Sequence, residues 1–242
     1  MSNLHRFMLY NMRYGTGRGF RFHWPFPYSG FLKWTGKNVD KITAFIKSEN
    51  PDIVGLVEVR GHQVKTIADE LEYVPLYNSK YLNSSVAQKI PILKTQGNAF
   101  LTRPTVKNTT LHFFTKGMKR LAIELELETV TIFLVHLSLK FRSRQWQLTQ
   151  LHDLIKQVHK PVIVAGDLNM FWGEKEIELF LSATGLISAN TQKHLTYPSR
   201  KPKQQLDFIL HSPEIDITEF KVCNDVLFSD HLPIVCEFSV SA

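Results

Sequence analysis

What most constrains the fold of this chain is a recurrence of short apolar runs, with helical or turn-rich stretches between them. They lie at Phe7 to Tyr10, Ile53 to Val57, Ala99 to Thr102, Leu121 to Leu127, Thr131 to Val135, Val162 to Ala165, Leu206 to Leu210 and Leu232 to Phe238. Their length and β-branched content predict strands. Val162-Ile163-Val164-Ala165 is apolar without alternation, as in a strand covered on both faces. Leu121 to Glu128 alternates apolar with acidic residues, which suits an antiparallel strand with one wet face.

Helical spacing fills some of the gaps. Ile42, Phe45 and Ile46 share one face of a helix over Val39 to Ser48, stopped by Asn50-Pro51. Leu148, Leu151, Ile155 and Val158 set a second helix. A third is expected over Glu174 to Ser182, with Ile177, Phe180 and Leu181 inward and Gly185 beyond its end. The expected architecture is α/β: a four-layer α/β sandwich of two packed mixed β-sheets flanked by helices. At 242 residues the chain is expected to form a single domain, residues 1–242.

Hydrophobic residues make up 43% of the sequence and aromatic residues 12%, enough for a sizeable core and too much for a disordered chain. The formal net charge of +7 favours a polyanionic partner such as nucleic acid or an anionic lipid surface, although Lys and Arg are dispersed along the chain. Cys223 and Cys236 both sit in apolar stretches and read as small core residues. Residues 1–10 lack a signal-peptide pattern, and no run approaches the roughly 18 apolar residues that span a bilayer. A cytoplasmic protein is the expectation.

One segment stands apart. Arg13 to Trp34 carries glycines, prolines and many aromatics, including Phe20, Phe22, Trp24, Phe26, Tyr28 and Phe31, with Arg18 and Arg21 among them. Loops of this length inside a compact domain are usually functional or mobile.

The chemistry lies at the strand ends. Asn11 ends the first strand, Glu58 the second and His136 another; Asp167 and Asn169 follow the most apolar one. Asp207 lies within Gln205 to Leu210, and Asp230-His231 precede the last strand. Each alone reads as a turn former, a helix cap or a structural histidine. Together, at strand ends where ligand clefts form, they read as one site. Carboxylate and amide oxygens without a nearby thiolate suit Mg²⁺ or Mn²⁺, and Glu58 is the best ligand candidate. Asp207 against His231 is the natural pair for a proton-moving imidazole. No Gly-x-Ser-x-Gly, well-placed Cys or Walker A motif is present. Water is therefore the expected nucleophile.

Leu56-Val57-Glu58-Val59, Gly166-Asp167-Leu168-Asn169 and Ser229-Asp230-His231, in this order and with Asn11, His136 and Asp207 in place, resemble the endonuclease/exonuclease/phosphatase superfamily. That superfamily includes deoxyribonucleases, abasic-site endonucleases, tyrosyl-DNA phosphodiesterases, inositol polyphosphate 5-phosphatases and bacterial sphingomyelinases. The resemblance implies the four-layer sandwich and a phosphoester hydrolase. It implies that Glu58 binds the catalytic Mg²⁺ with Asn11 close by, and that Asp230 contributes to a metal site. It further implies that Asp167 positions or deprotonates the water, that Asn169 steadies the phosphoryl oxygens, and that His136 faces the phosphate. His231, oriented by Asp207, acts as acid/base or binds phosphate. A Tyr and extra loops of abasic-site endonucleases have no counterpart here, and the Arg13 to Trp34 loop follows no branch.

The expected function is metal-dependent hydrolysis of a phosphodiester by activated water. A nuclease is slightly preferred, because the chain is basic and Arg alternates with aromatics in the long loop. The alternative is a phospholipid or phosphoinositide phosphoesterase that makes peripheral membrane contact through Trp24 to Tyr28. A non-catalytic binding protein of the same fold is the third reading, disfavoured by retention of the whole residue set. No obligate protein partner is inferred.

Overall fold

The computed structural model describes residues 4–17, 38–79 and 95–240. Among the described residues, twelve strands form two sheets of six. The first contains β1 (His5–Asn11), β2 (Ile53–Arg60), β3 (Val74–Ser79), β4 (Gln96–Thr102), β11 (Ile215–Val222) and β12 (Ile234–Val240), in the order β11-β12-β1-β2-β4-β3. The second contains β5 (Asn108–Phe113), β6 (Leu121–Glu126), β7 (Thr131–His136), β8 (Val162–Asp167), β9 (Ile187–Ser188) and β10 (Asp207–His211), in the order β5-β6-β7-β8-β10-β9. Each sheet has one parallel pair at its centre, β1 with β2 and β7 with β8, and antiparallel pairs outside it. Both sheets are thus mixed, as expected. Parallel neighbours end on the same side, so β1, β2, β7 and β8 each bring a residue to the end of a parallel pair.

Period-two alternation distributes the apolar residues between layers. Phe7, Leu9, Ile53, Ile123, Leu125, Ile132, Leu134, Ile163, Ala165, Ile209, Ile234 and Phe238 point between the sheets and form the central core. The residues between them face outward: Met8, Val54 and Leu56 meet Ile42 and Ile46 of α1 (Val39–Glu49) and Val64 and Ile67 of α2 (Gly61–Leu71). On the other sheet Phe133, Val135 and Val164 meet Leu148 and Leu151 of α3 (Phe141–Ile155) and Phe180 of α4 (Glu178–Thr184). The layers run helix, sheet, sheet, helix. Each fully buried Leu, Ile or Phe contributes roughly 1.5–3 kcal/mol, and the unbroken apolar runs of β7 and β8 collect this on both faces. In β6, by contrast, Glu124 and Glu126 are only half-buried and pair with His112 and Lys160.

The helices depart from expectation in places. The stretch expected as one helix from Glu174 is broken: a 3-10 turn at Glu174–Glu176 is followed by α4, with Ile177 as its N-cap. Ile177 and Phe180 are buried, Leu181 half-buried, and Gly185 closes the helix in the left-handed conformation at φ 71°. Val158 lies past the end of α3, though it packs on the same core. Helix α2 and strands β3, β5, β9 and β11 were not anticipated; β5 and β11 are amphipathic edge strands with too few apolar residues to announce themselves. Cys236 is buried in the central core and Cys223 is half-buried against the outer one. No helix among the described residues is long and apolar enough to cross a membrane. The expected long loop falls largely outside the described residues, including Trp24, Phe26 and Tyr28; its start, Arg13–Gly15, is a tight turn with all three residues in the left-handed region, at φ 44°, 56° and 66°.

Candidate active site

The inner-face rows of the two sheets run from core into chemistry. On β7 the inward residues Ile132 and Leu134 are followed by His136; on β8 Ile163 and Ala165 are followed by Asp167; on β1 Phe7 and Leu9 are followed by Asn11. His136 pairs with Asp167 across the parallel β7–β8 ladder, and Asp167 pairs with Asp207 across the antiparallel β8–β10 ladder. One row of a single sheet therefore carries three of the candidates. Gly166 allows this row to close: its φ is +152°, and a Cβ there would lie 1.8 Å from the Val135 carbonyl oxygen.

Glu58 reaches the site by a different device. Leu56 pairs with Ala99 and Val59 with Gly97, so Val57 and Glu58 together oppose Asn98 in a β-bulge. Glu58 takes φ 52°, a left-handed conformation rare for a side chain of its size. The bulge shifts the alternation, for Val57 faces the central core and Val59 the outer one. Glu58 is thereby released toward the opposite sheet, where its Oε1 lies 3.6 Å from Lys119 Nζ and 3.8 Å from His136 Nε2.

Asp167 is the centre of the cluster. Its Oδ2 accepts from Asn11 Nδ2 at 3.0 Å and stands 3.2 Å from His136 Nε2 and 4.0 Å from His231 Nε2. Its Oδ1 accepts the backbone N–H of Asn169 at 3.0 Å. Asn169, at φ 54°, donates one amide hydrogen to the Leu137 carbonyl at 2.9 Å. Asp207 Oδ2 accepts from His231 Nδ1 at 2.8 Å and from the Thr196 hydroxyl at 2.6 Å, so the imidazole presents Nε2 to Asp167. The Tyr197 ring packs against His231 with centroids 4.8 Å apart. Asp230 lies 3.3 Å from Arg13 Nε, and the Arg13 backbone N–H donates to Asn11 Oδ1 at 3.1 Å.

Electrostatics divide the two histidines. Burial and the neighbouring Lys119 ammonium drive His136 down to about 4, against the pull of Asp167 and Glu58. Burial also opposes charge on His231, but Asp207, Asp167 and Asp230 outweigh it and lift the imidazole to about 10. Asp167 is disfavoured by burial, yet His136, His231 and Lys119 hold it well below the usual carboxylate range. At neutral pH the site presents a neutral His136, an imidazolium at His231 and an ionised Asp167. The structure brings all the expected residues together: Asn11, Glu58, His136, Asp167, Asn169, Asp207, Asp230 and His231.

It also adds residues that carried no motif. Lys119, in the connection between β5 and β6, hydrogen-bonds His136 Nε2 and is the cation beside Glu58. Thr196 and Tyr197 flank the Asp207–His231 pair. Only the basic Lys119-Arg120 doublet ahead of an apolar strand was there to be noticed.

Among the described residues no group of three or more His, Cys, Asp or Glu side chains forms a metal cage. The donor set nonetheless fits Mg²⁺, which keeps much of its water shell and takes one or two carboxylates. Glu58 is one-fifth exposed, Asp167 and its partner Asn11 join it through His136 with further oxygen atoms, and no thiolate competes.

A sequence profile of the Endonuclease/Exonuclease/phosphatase family matches residues 8–231. Among solved structures, a Bacteroides thetaiotaomicron protein of that family aligns over 100% of both chains at 14% identity, with a TM-score of 0.77. The mannosyl-6-phosphatase of the same organism aligns over 97% of this chain and 99% of its own, at 16% identity and a TM-score of 0.72. Truncated Caenorhabditis elegans TDP2 aligns over 98% of both chains at 18% identity, with a TM-score of 0.66. At these identities the structural likeness speaks for the fold alone. No curated protein sequence matches.

Proposed function

Because the chain belongs to the Endonuclease/Exonuclease/phosphatase family, whose members hydrolyse phosphate esters, we propose that it is a Mg²⁺-dependent phosphodiesterase that uses water as nucleophile. The observation that carries this reading is the convergence on Asp167 of Asn11, His136 and the Asp207-held His231, with Glu58 turned toward them by a strained bulge. Strain at that position is consistent with a residue selected for where its carboxylate goes.

Glu58 and Asn11 would hold the metal, with Asp230 as a further oxygen donor that must leave Arg13 to serve. Bound there, Mg²⁺ would neutralise charge on the phosphoryl oxygens and acidify a coordinated water. Mn²⁺ has the same donor preference. Asp167, ionised and fixed by Asn11 and the Asn169 N–H, positions the water and takes its proton. His231 holds a proton on Nε2 and gives it to the phosphoryl group or the leaving oxygen. Asp207 fixes the tautomer and supports the charge. The Lys119 ammonium, which donates to Nε2 of neutral His136, faces the same space and binds phosphoryl oxygen, as does the second amide hydrogen of Asn169.

The net charge of +7 supports a nucleic-acid substrate, while exposed apolar residues beside cations at Leu139 to Arg142 support a phospholipid. The test is hydrolysis of a nitrophenyl phosphodiester by purified protein, with Mg²⁺ and after exhaustive dialysis against EDTA. Activity restored only by Mg²⁺ or Mn²⁺ supports the reading, and full activity in EDTA overturns it.

A further inference from the structure

Three loops border the site, and each pairs exposed apolar side chains with cations. The β5–β6 connection carries Lys116 and Met118, the latter 74% exposed, immediately before Lys119. Three residues beyond His136, the end of the β7–α3 loop and the start of α3 read Leu139-Lys140-Phe141-Arg142, all four exposed. Two residues beyond Asn169, Phe171 and Trp172 are exposed, Trp172 to 77%, with Lys175 following.

Buried polar side chains of α3 bind these loops into one rim. Gln147, fully buried, donates to the Lys116 and Lys119 carbonyls at 2.9 and 2.6 Å and accepts the Ser138 N–H at 2.8 Å. Arg144, also fully buried, donates to the Ser138 and Leu139 carbonyls, each at 2.9 Å, and to Glu176. Glu176 in turn accepts the Trp172 N–H at 2.9 Å. Next to this rim, Gln204 donates to the Phe171 carbonyl at 3.2 Å from a turn bearing exposed Arg200, Lys201 and Lys203.

Exposed tryptophan, leucine and methionine on fixed loops is a cost in water unless something covers them. The charge around them says what does. Residues 114–120, 137–146 and 197–205 contain no Asp or Glu, so the Met118, Leu139 and Phe141 tips stand among cations; beside Trp172 the sequence carries Glu174 and Glu176 with Lys175, Glu176 being paired with buried Arg144. A nucleic acid matches the cations and can stack on Trp172 and Phe171, but Leu139 and Met118 offer no flat face to a base. Apolar tips in a basic ring match the interface of an anionic bilayer, where aliphatic and aromatic side chains enter the acyl boundary and Lys and Arg meet headgroup phosphates.

We propose that this rim docks on an anionic lipid bilayer and that the site draws its phosphoester from a lipid headgroup there; the second half rests on the hydrolase reading above, the first does not. The rim residues reach the interface on loops that border the Asp167 cluster, so the scissile phosphate need not leave the membrane plane.

The test is flotation of the full-length protein with extruded vesicles of phosphatidylcholine alone or with a quarter phosphatidylglycerol, in near-physiological salt and EDTA. Binding to the anionic vesicles is expected, together with a blue shift of tryptophan emission that disappears in Trp172→Ser. The triple variant Leu139→Ser/Phe141→Ser/Trp172→Ser should weaken binding by about tenfold or more, since each tip loses its apolar burial. It should leave small-diester hydrolysis unchanged, because none of the three touches the Asp167 cluster. Lys140→Glu/Arg142→Glu should abolish the preference for anionic over neutral vesicles. No flotation, or flotation indifferent to both variants, overturns docking, as does a single-stranded oligonucleotide bound in a salt-sensitive way through the same residues while vesicles are ignored. Vesicle binding without release of any headgroup phosphate, in protein that cleaves the small diester with Mg²⁺, overturns the lipid substrate alone. Failure on the small diester as well would instead strike the hydrolase reading.

Discussion

His136 and His231 flank the same carboxylate oxygen, Asp167 Oδ2, at 3.2 and 4.0 Å, and yet sit at opposite ends of the imidazole range. Burial and Lys119 keep the first neutral; Asp207, Asp167 and Asp230 keep the second charged against burial. One carboxylate is thus served by a hydrogen-bonding base and by a cation, the split of roles that acid/base chemistry at one centre requires.

The split has a sign that can be measured in metal-free protein. His231 rises from 6.5 to about 10, so its contribution to stability is complete below pH 6.5 and is lost as pH climbs through about 10. His136 falls to about 4, so its contribution is complete above 6.5 and is lost as pH drops toward 4. Urea denaturation in EDTA should show stability declining on both sides of about pH 6.5, and Asp207→Asn should flatten the alkaline side. Ring-proton NMR with both histidines titrating near 6.5 would refute the assignment.

His231→Ala and Asp167→Asn should each lower kcat by about 10² or more with the fold intact, the range expected of acid/base groups. Both act on one transition state, so the double variant should lose less than the product of the single losses. Because Asp207 holds Nδ1 of His231 at 2.8 Å, the effect of Asp207→Asn should vanish in a His231→Ala background. Strictly multiplicative losses in a kcat cycle would break the proposed pairing.

Gly166→Ala tests whether the site row depends on glycine. The added Cβ would meet the Val135 carbonyl oxygen at 1.8 Å, in a backbone conformation that L side chains rarely adopt. Strands β7 and β8 must then part beside His136 and Asp167. We expect about 3 kcal/mol or more of destabilisation by urea denaturation, and a fall in kcat larger than loss of folded protein explains. A variant as stable and active as wild type would show that the ladder yields freely.

The sequence made the central strands and their terminal residues legible because apolar content and polar chemistry change abruptly at one point, as at Ala165-Gly166-Asp167. Thr196 and Lys119 were invisible for the opposite reason. They reach the site from irregular connections, and only pairing of β10 with β8 and of β5 with β6 brings those connections to Asp207 and His136. The direction of Glu58 was equally hidden: strict alternation through Ile53 and Val57 would have sent it toward the helices, and the bulge that reverses it leaves no mark in composition. The polar edge strands failed the same criterion that found the inner ones, since an edge needs apolar residues on one face at most.

Lys119 and Glu58 give the last and sharpest test, because removing them should move metal binding in opposite directions. Glu58 is the carboxylate best placed to hold Mg²⁺, so Glu58→Gln should raise the Mg²⁺ concentration for half-maximal activity at least tenfold. Lys119 Nζ stands 3.6 Å from that carboxylate, a cation where a cation would bind. Lys119→Met removes the competing charge from Glu58, and calorimetric titration should show tighter Mg²⁺ binding. The same ammonium also faces the space where the phosphoryl oxygens would lie, so its loss should lower kcat even at saturating metal. A variant that binds Mg²⁺ more tightly and turns over more slowly separates these two roles, which no merely destabilised protein would do. Weaker Mg²⁺ binding in Lys119→Met would show instead that the lysine organises the metal site, and the placement of the metal at Glu58 would have to be revised.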